Sequence, residues 1–357
     1  MTDRAARLTE RLPETGADLM MVSSLVNVRY LTGYTGSSGL ALIGPQTRVF
    51  ITDFRYVEQA AAEVDPSFER RIVAQDLVDA ALQELPPGAG RLAFEDAHVS
   101  VRTHARLGAI LPDGVELIAG GDAVENLRAV KDGDELHRIA EATKLADAAL
   151  RRILERGLAG RTERDVATAL EAAMRDLGAQ RPSFDTIVAA GPHGALPHAH
   201  PRDIEIGADE LVVIDWGAEL DGYCSDCTRT VATGDLDEPA LQAYDLVRQA
   251  QLAGLAAVRE GVGGREADSA ARAVIDEAGH GEHYGHGLGH GVGLEIHEAP
   301  RLSQRSDSVL AAGNVVTVEP GVYLAGRFGV RIEDLVVVTD EGPTILTSVP
   351  KELITVG

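Results

Sequence analysis

Leu211-Val-Val-Ile-Asp215-Trp-Gly217 and Val315-Val-Thr-Val-Glu319-Pro-Gly321 share one form: a short apolar run, an acid, then a glycine two residues on. Each reads as a buried strand that ends in a carboxylate. A third segment, Gly329-Val-Arg-Ile-Glu-Asp-Leu335, alternates so that Val330, Ile332 and Asp334 point one way, and Arg331 and Glu333 the other. A fourth acid, Asp226, lies between Cys224 and Cys227 in a stretch that reads as strand, with Cys224 on its own face and Cys227 opposite. An unpaired buried carboxylate is costly, so such groups are paired, neutralised or bound to metal. One acid alone could be a strand-end cap. Four of them, together with the His-rich run Gly285-His-Gly-Leu-Gly-His-Gly-Val-Gly293, ask for a common explanation.

A pair of divalent cations supplies one. Four carboxylates balance two M²⁺ ions, and bridging carboxylates set such ions about 3.5–4 Å apart with a water or hydroxide between them. Oxygen donors with one imidazole form a hard, mixed set suited to Mn²⁺ or Co²⁺ rather than to thiolate-type zinc chemistry. The glycines of 285–293 do not fall in the G-x-G-x-x-G register, and the P-loop, H-E-x-x-H and G-x-S-x-G patterns are absent.

Around these segments the chain reads as two domains, residues 1–125 and 126–357. From Leu19 to Asp122, short apolar runs (Leu40–Ile43, Val49–Thr52, Arg91–Phe94) alternate with helical stretches (Tyr56–Val64, Ala74–Glu84), which predicts a small α/β domain. A charged stretch, Arg128–Glu135, leads into a long helix marked by Leu136, Ile139, Ala142, Leu145, Ala149, Leu150 and Ile153. Further helices are expected at Thr162–Leu177, opened by a Thr162/Asp165 capping box, at Pro239–Arg259 and at Glu266–Ala278. Strands are expected at Leu211–Asp215, Val315–Glu319 and Val330–Val338. A faint repeat pairs Gly157-Leu-Ala-Gly-Arg161 with Gly261-Val-Gly-Gly-Arg265, each opening a helix that runs on to an acid-tipped strand; chance similarity of two Ala-rich helices would look much the same.

Composition sets outer limits. The chain has 357 residues, 45% of them hydrophobic, and a formal net charge of -23. That charge disfavours nucleic acid and anionic membranes, which require basic patches. The charged start, Met1–Arg11, is followed by no apolar span, so a cytoplasmic protein is expected. Cys224-x-x-Cys227 has no second pair to complete a zinc site; two ordinary reduced thiols beside Asp226 are expected rather than a redox pair.

The motifs Asp215-Trp-Gly-Ala, Asp226-Cys-Thr-Arg-Thr230, Gly285-His-Gly-Leu-Gly-His290-Gly-Val-Gly-Leu-Glu-Ile-His297-Glu, Thr317-Val-Glu-Pro-Gly-Val-Tyr323 and Gly329-Val-Arg-Ile-Glu-Asp334 resemble the metal-dependent pita-bread peptidases: Xaa-Pro dipeptidase (prolidase), aminopeptidase P and methionine aminopeptidase. The segment Asn27-Val-Arg-Tyr-Leu-Thr-Gly33-Tyr-Thr-Gly36 and its surroundings resemble the amino-terminal domain of prolidase, aminopeptidase P and creatinase. The implied fold class is α+β, a small α/β amino-terminal domain followed by a pita-bread catalytic domain. The resemblance implies that Asp215 chelates one metal, that Asp226 and Glu333 bridge both, and that His290 and Glu319 complete the second. It implies Glu319 as proton carrier, His198 and His297 as donors to the developing oxyanion, His286 as a pocket residue, and Arg331 as the holder of a ligand carboxylate. Arg301 is either a solvated arginine or a partner for the substrate carboxylate. Tyr323 is expected to pack, His280 and His283 to lie on the surface, and His200 is assigned nothing.

The implied activity is metal-dependent cleavage of Xaa-Pro bonds. Proline's tertiary nitrogen offers no N–H and fixes φ, which defeats peptidases that grip that N–H; a metal-hydroxide site working on the carbonyl has no need of it. The short segment from Glu319 to Glu333 resembles compact microbial prolidases, with aminopeptidase P acting on longer Xaa-Pro-peptides as the alternative. A non-catalytic pita-bread binding protein is the alternative from another class. The resemblance implies two metal ions per subunit, Mn²⁺ foremost with Co²⁺ or Zn²⁺ as options. It also implies proline-containing dipeptides or short peptides as substrates, and a homodimer in which one subunit's amino-terminal domain can reach the other's site.

Overall fold

A computed structural model describes residues 3–356. The chain divides into two compact units, Met1–Arg128 and Ala129–Gly357. The division falls just after the sequence-based boundary because Arg128 is buried and donates from Nη1 to Asn27 Oδ1 at 2.7 Å.

In the first unit the strands are β1 (Leu19–Val22), β2 (Leu40–Gly44), β3 (Thr47–Asp53), β4 (Glu69–Val73), β5 (Arg91–Phe94) and β6 (Glu116–Ala119). They form one sheet in the order β4-β3-β2-β1-β5-β6. β1 pairs antiparallel with β2 and parallel with β5. Every residue of β1 and β2 is buried, so these strands read as unbroken apolar runs, whereas β4 and β6 are largely solvated edges. The helices are α1 (Arg4–Thr15), α2 (Leu25–Thr32), α3 (Val57–Glu63), α4 (Leu77–Gln83), α5 (Val101–Ile110) and α6 (Glu125–Ala129).

The second unit begins with α7 (Gly133–Leu154), opened by a complete capping box between Asp132 and Glu135. α8 (Glu163–Asp176) follows; Thr162 Oγ1 accepts from Asp165 N, which is half of the box expected there. Then come β7 (Arg181–Pro182), β8 (Ile187–Ala190), β9 (Leu211–Trp216), β10 (Ala218–Leu220), β11 (Tyr223–Cys224) and β12 (Cys227–Ala232). α9 (Glu238–Ala257) and α10 (Gly264–Glu277) precede β13 (Gly289–Gly291), β14 (Glu298–Leu302), β15 (Val315–Val318), β16 (Gly321–Leu324), β17 (Phe328–Arg331), β18 (Asp334–Val338) and β19 (Pro343–Ile345). Two sheets matter for the site, β12-β9-β8 and β14-β13-β15-β18-β19. One hydrophobic core lies under α7 and α8, centred on Leu150, Leu170 and Trp216; another lies under α9 and α10, centred on Val247, Ile275 and Val316.

The faint repeat is visible in backbone hydrogen bonds. Gly160 N and Glu163 N donate to Ile206 O and Ile204 O at 2.9 and 3.2 Å; Gly261 N and Gly264 N donate to Leu310 O and Ser308 O, both at 2.8 Å. Ile206 leads into β9 and Asp215, and Leu310 leads at the same spacing into β15 and Glu319. The equivalent helix starts are therefore Glu163 and Gly264, three residues out of step with the alignment of Gly160 on Gly264. Glycine matching misled there because each half uses its glycines for different turns.

Two expected strands are interrupted. The stretch from Cys224 to Cys227 is not one strand: β11 ends at Cys224 and β12 starts at Cys227, leaving Ser225 and Asp226 at the break. The expected strand Val330–Val338 likewise breaks at Ile332 and Glu333. Both breaks fall at an acid that faces the pocket.

Candidate active site

Sheet register brings the acids together. Asp215 pairs with Thr228, and Asp226 precedes Cys227, which pairs with Trp216. Val318 pairs with Asp334, so Glu319 and Glu333 flank the same end of the β15/β18 ladder. Glu333 N donates to Thr228 O at 3.1 Å, which joins the two sheets at the carboxylate cluster. The glycines of the His-rich run make room for strand approach and not for a phosphate. A Cβ on Gly289 would strike Thr317 O, and one on Gly291 would strike Ala299 O. β13 is thereby held between β14 and β15 and carries His290 inward.

Asp215, Asp226 and Glu333 present oxygens within 4.8 Å of one another. His290 Nε2 stands 3.3 Å from Glu319 Oε1 and 3.6 Å from Asp226 Oδ2, while its Nδ1 is engaged by Gly291 O at 3.1 Å. Nε2 is thus aimed at the acids. It can donate to Glu319 when protonated or offer its lone pair to a cation when not. Burial, then repulsion from Glu333, Asp215 and Glu319, raises Asp226 well above the ordinary carboxylate range. Burial, with Glu319 and Asp215 beside it, does the same to Glu333. Glu319 goes the other way: burial pushes it up, but His290 outweighs that and brings it to about 2. Asp215 Oδ1 and Glu333 Oε1 are buried and have no hydrogen-bond partner among the described residues. Orphaned carboxylate oxygens beside mutually repelling acids are what divalent cations would satisfy, so the donor set fits the metal pair.

The residues behind the cluster fix its geometry. Arg331 Nη2 donates to Asp215 Oδ2 at 2.6 Å, and its Nε donates to Thr228 Oγ1 at 3.0 Å. Thr228 Oγ1 in turn donates to Glu333 Oε2 at 2.7 Å. Arg331 Nη1 donates to Tyr323 Oη at 2.9 Å, and Tyr323 Oη lies 2.9 Å from His286 Nε2. Tyr323 is therefore a polar link and not merely packing. Tyr323 and Thr228 both lie inside the motifs that carry the resemblance, but Thr228 is assigned no role there and Tyr323 only packing.

These groups open on one cavity of about 620 Å³. His198, His286, His297 and Arg301 line it with the five candidate ligands, as do Phe184, Asp185, Ile296 and the unassigned His200. His297 stacks edge-on to His290 with ring centroids 4.3 Å apart. Burial lowers His286 and His297 below the usual imidazole value, so both are neutral at neutral pH. Arg301 is exposed and pairs across the ladder with His290. His280 is half-buried rather than on the surface, with its ring 5.7 Å from that of the exposed His283. Cys224 and Cys227 are free and buried, and burial pushes the Cys224 thiol up to about 12.

An α/β unit followed by a pita-bread unit in which Asp215, Asp226 and Glu333 converge, with His290 and Glu319 beside them, has the donor chemistry of a metal-dependent hydrolase. The model of metallopeptidase family M24 matches residues 137–340, and that of the creatinase/prolidase N-terminal domain matches residues 4–130. The chain belongs to metallopeptidase family M24, and it is an enzyme of that class. It is 43% identical over 349 residues to an uncharacterized peptidase of Bacillus subtilis, covering 98% of each chain. It is 35% identical to the Xaa-Pro dipeptidase of Pyrococcus furiosus, over 99% of this chain and 100% of that one. Its fold is similar to a structure described as Xaa-Pro dipeptidase from Bacillus anthracis (TM-score 0.96, 40% identity, 99% of each chain). It is also similar to an X-Pro aminopeptidase from Thermotoga maritima (TM-score 0.90, 38% identity, 99% and 100%). No helix among the described residues is long and apolar enough to cross a membrane.

Proposed function

We propose that the protein hydrolyses Xaa-Pro dipeptides, using two divalent cations held by Asp215, Asp226, His290, Glu319 and Glu333, with Mn²⁺ the foremost candidate. The observation that carries this reading is the convergence of Asp215, Asp226 and Glu333, whose oxygens lie within 4.8 Å of one another, in a cavity also lined by His198, His297 and Arg301. Likeness to the dipeptidases of Pyrococcus furiosus and Bacillus anthracis supports the substrate class.

Bound there, the cations would polarise the scissile carbonyl and supply hydroxide at neutral pH. Glu319 would start as a proton acceptor and return the proton to the leaving proline nitrogen. His297 is a neutral imidazole on the pocket wall, and with His198 it donates to the oxygen that gains charge in the transition state. Arg301 presents its guanidinium to the substrate carboxylate. Arg331 and Tyr323 hold Asp215 and His286 in register. We further read the protein as a cytoplasmic homodimer.

Likeness to the Thermotoga maritima X-Pro aminopeptidase favours a second reading, release of the first residue from longer Xaa-Pro-peptides. Hydrolysis of Ala-Pro beside Ala-Pro-Ala, with Mn²⁺ and then with chelator, decides. Cleavage of the dipeptide alone, lost on chelation, is the expected result. Cleavage of the tripeptide selects the second reading, and chelator-resistant turnover contradicts both.

A further inference from the structure

Glu163 is the first residue of α8, and its side chain is 1% exposed. It touches none of the five candidate metal ligands. Its carboxylate instead accepts from Ala190 N at 3.0 Å, from His193 Nδ1 at 2.9 Å, and from Arg202 N at 3.0 Å. Arg202 Nε and Nη2 add two contacts at 3.1 Å. These donors bracket one connection. It leaves β8 at Ala190, makes a short 3-10 turn over Gly191–Ala195, and runs without regular structure past His198 to Arg202. The turn itself is buried at Gly191, His193 and Gly194, and Ala199 packs on Ile187 and Ala189, but Leu196, His198 and His200 are exposed, so packing leaves the stretch around His198 less fixed than its flanks. Its middle is also anchored from the site by Arg331 Nη1, which donates to Pro197 O at 3.2 Å.

Such a connection loses conformational entropy when held in one shape, and something must offset that loss. A single carboxylate that accepts at both ends of the connection does so efficiently, and its place at a helix start favours negative charge. Burial pushes Glu163 up, but the hydrogen bonds from Arg202, Ala190 and His193 outweigh it and hold the group below the ordinary carboxylate range.

We infer that Glu163 is a positioning residue for the hydrolysis: by gripping both ends of the 190–202 connection it fixes His198 against the cavity. The inference rests on the proposed role of His198, so the test carries both. Wild type, E163Q, H198A and the double variant are compared for kcat, KM and bound Mn²⁺, and amide hydrogen exchange is read over residues 191–202. E163Q should keep its metal, lower kcat about ten- to a hundredfold with a smaller change in KM, and exchange faster over 191–202 only. In the H198A background the same substitution should cost less than about twofold, since the group it positions is gone. An equal loss in both backgrounds overturns the inference, as does unchanged exchange over 191–202. Impaired H198A with unimpaired E163Q overturns positioning alone. Unimpaired H198A overturns the role of His198 and the positioning role with it. Should E163Q fail to fold, H193Q removes one grip on the turn and leaves the helix start intact; it should show the same pattern in smaller measure, and a wild-type kcat and exchange profile there overturns the inference.

Discussion

Asp226→Asn keeps the shape of a buried ligand and removes one negative charge from the cluster. Its oxygen lies within 4.8 Å of oxygens on Asp215 and Glu333. At an effective dielectric of about 20, two unit charges at that separation repel by about 3.5 kcal/mol. Burial and this repulsion already raise Asp226, so protonation relieves part of the strain in the wild type. The substitution should therefore stabilise the chelated protein by about 1–3 kcal/mol at pH 8, and for a unit of this size each kcal/mol is about 2–4 °C in Tm. Metal reverses the order. Mn²⁺ stabilises whatever state binds it, so excess Mn²⁺ should raise the wild-type Tm well above that of the variant, which lacks a bridging charge. Thermal unfolding of both proteins in chelator and in Mn²⁺ checks this. A variant that melts below wild type in chelator, or gains as much from Mn²⁺, would refute the reasoning.

Tyr323→Phe removes the hydroxyl shared by Arg331 and His286. Arg331 keeps its bond to Pro197 O, so the expected cost is about 1.5–2 kcal/mol in denaturant unfolding, with bound metal retained and turnover reduced. Cys224 and Cys227 are buried with raised thiol values, so the native protein should resist alkylation at pH 8 and take up two labels only when unfolded; fast native labelling would contradict their burial. Glu163 is depressed in the folded state, so the stability it contributes is fully present above the ordinary carboxylate value and is lost as pH falls through the folded one. The stability gap between wild type and E163Q should accordingly close on acidification below about pH 4.5, as read by denaturant midpoints.

Much of this site was legible because charge interrupts apolar strands where burial alone cannot explain it. Asp215 and Glu319 announced themselves in that way, and the first unit's sheet was readable from its alternating runs. Asp226 and Glu333 were legible as acids but not in their local geometry, because a two-residue alternation was carried through strand breaks that only the tertiary fold creates. Tyr323 looked like packing because its partners, His286 and Arg331, lie 37 and 8 residues away. Glu163 was hidden in plain sight: an acid in the first turn of a helix is expected on dipole grounds, so nothing marked it as the grip on a distant connection.

The central claim is that these five side chains hold the cations that make the protein a peptidase. Titrating chelated protein with Mn²⁺, and reading bound metal and Ala-Pro hydrolysis in the same samples, tests it most directly. Activity that is absent at zero metal and rises to a plateau at two ions per chain is the predicted result. Hydrolysis without bound metal, or two bound ions with no hydrolysis of any Xaa-Pro substrate, would contradict it.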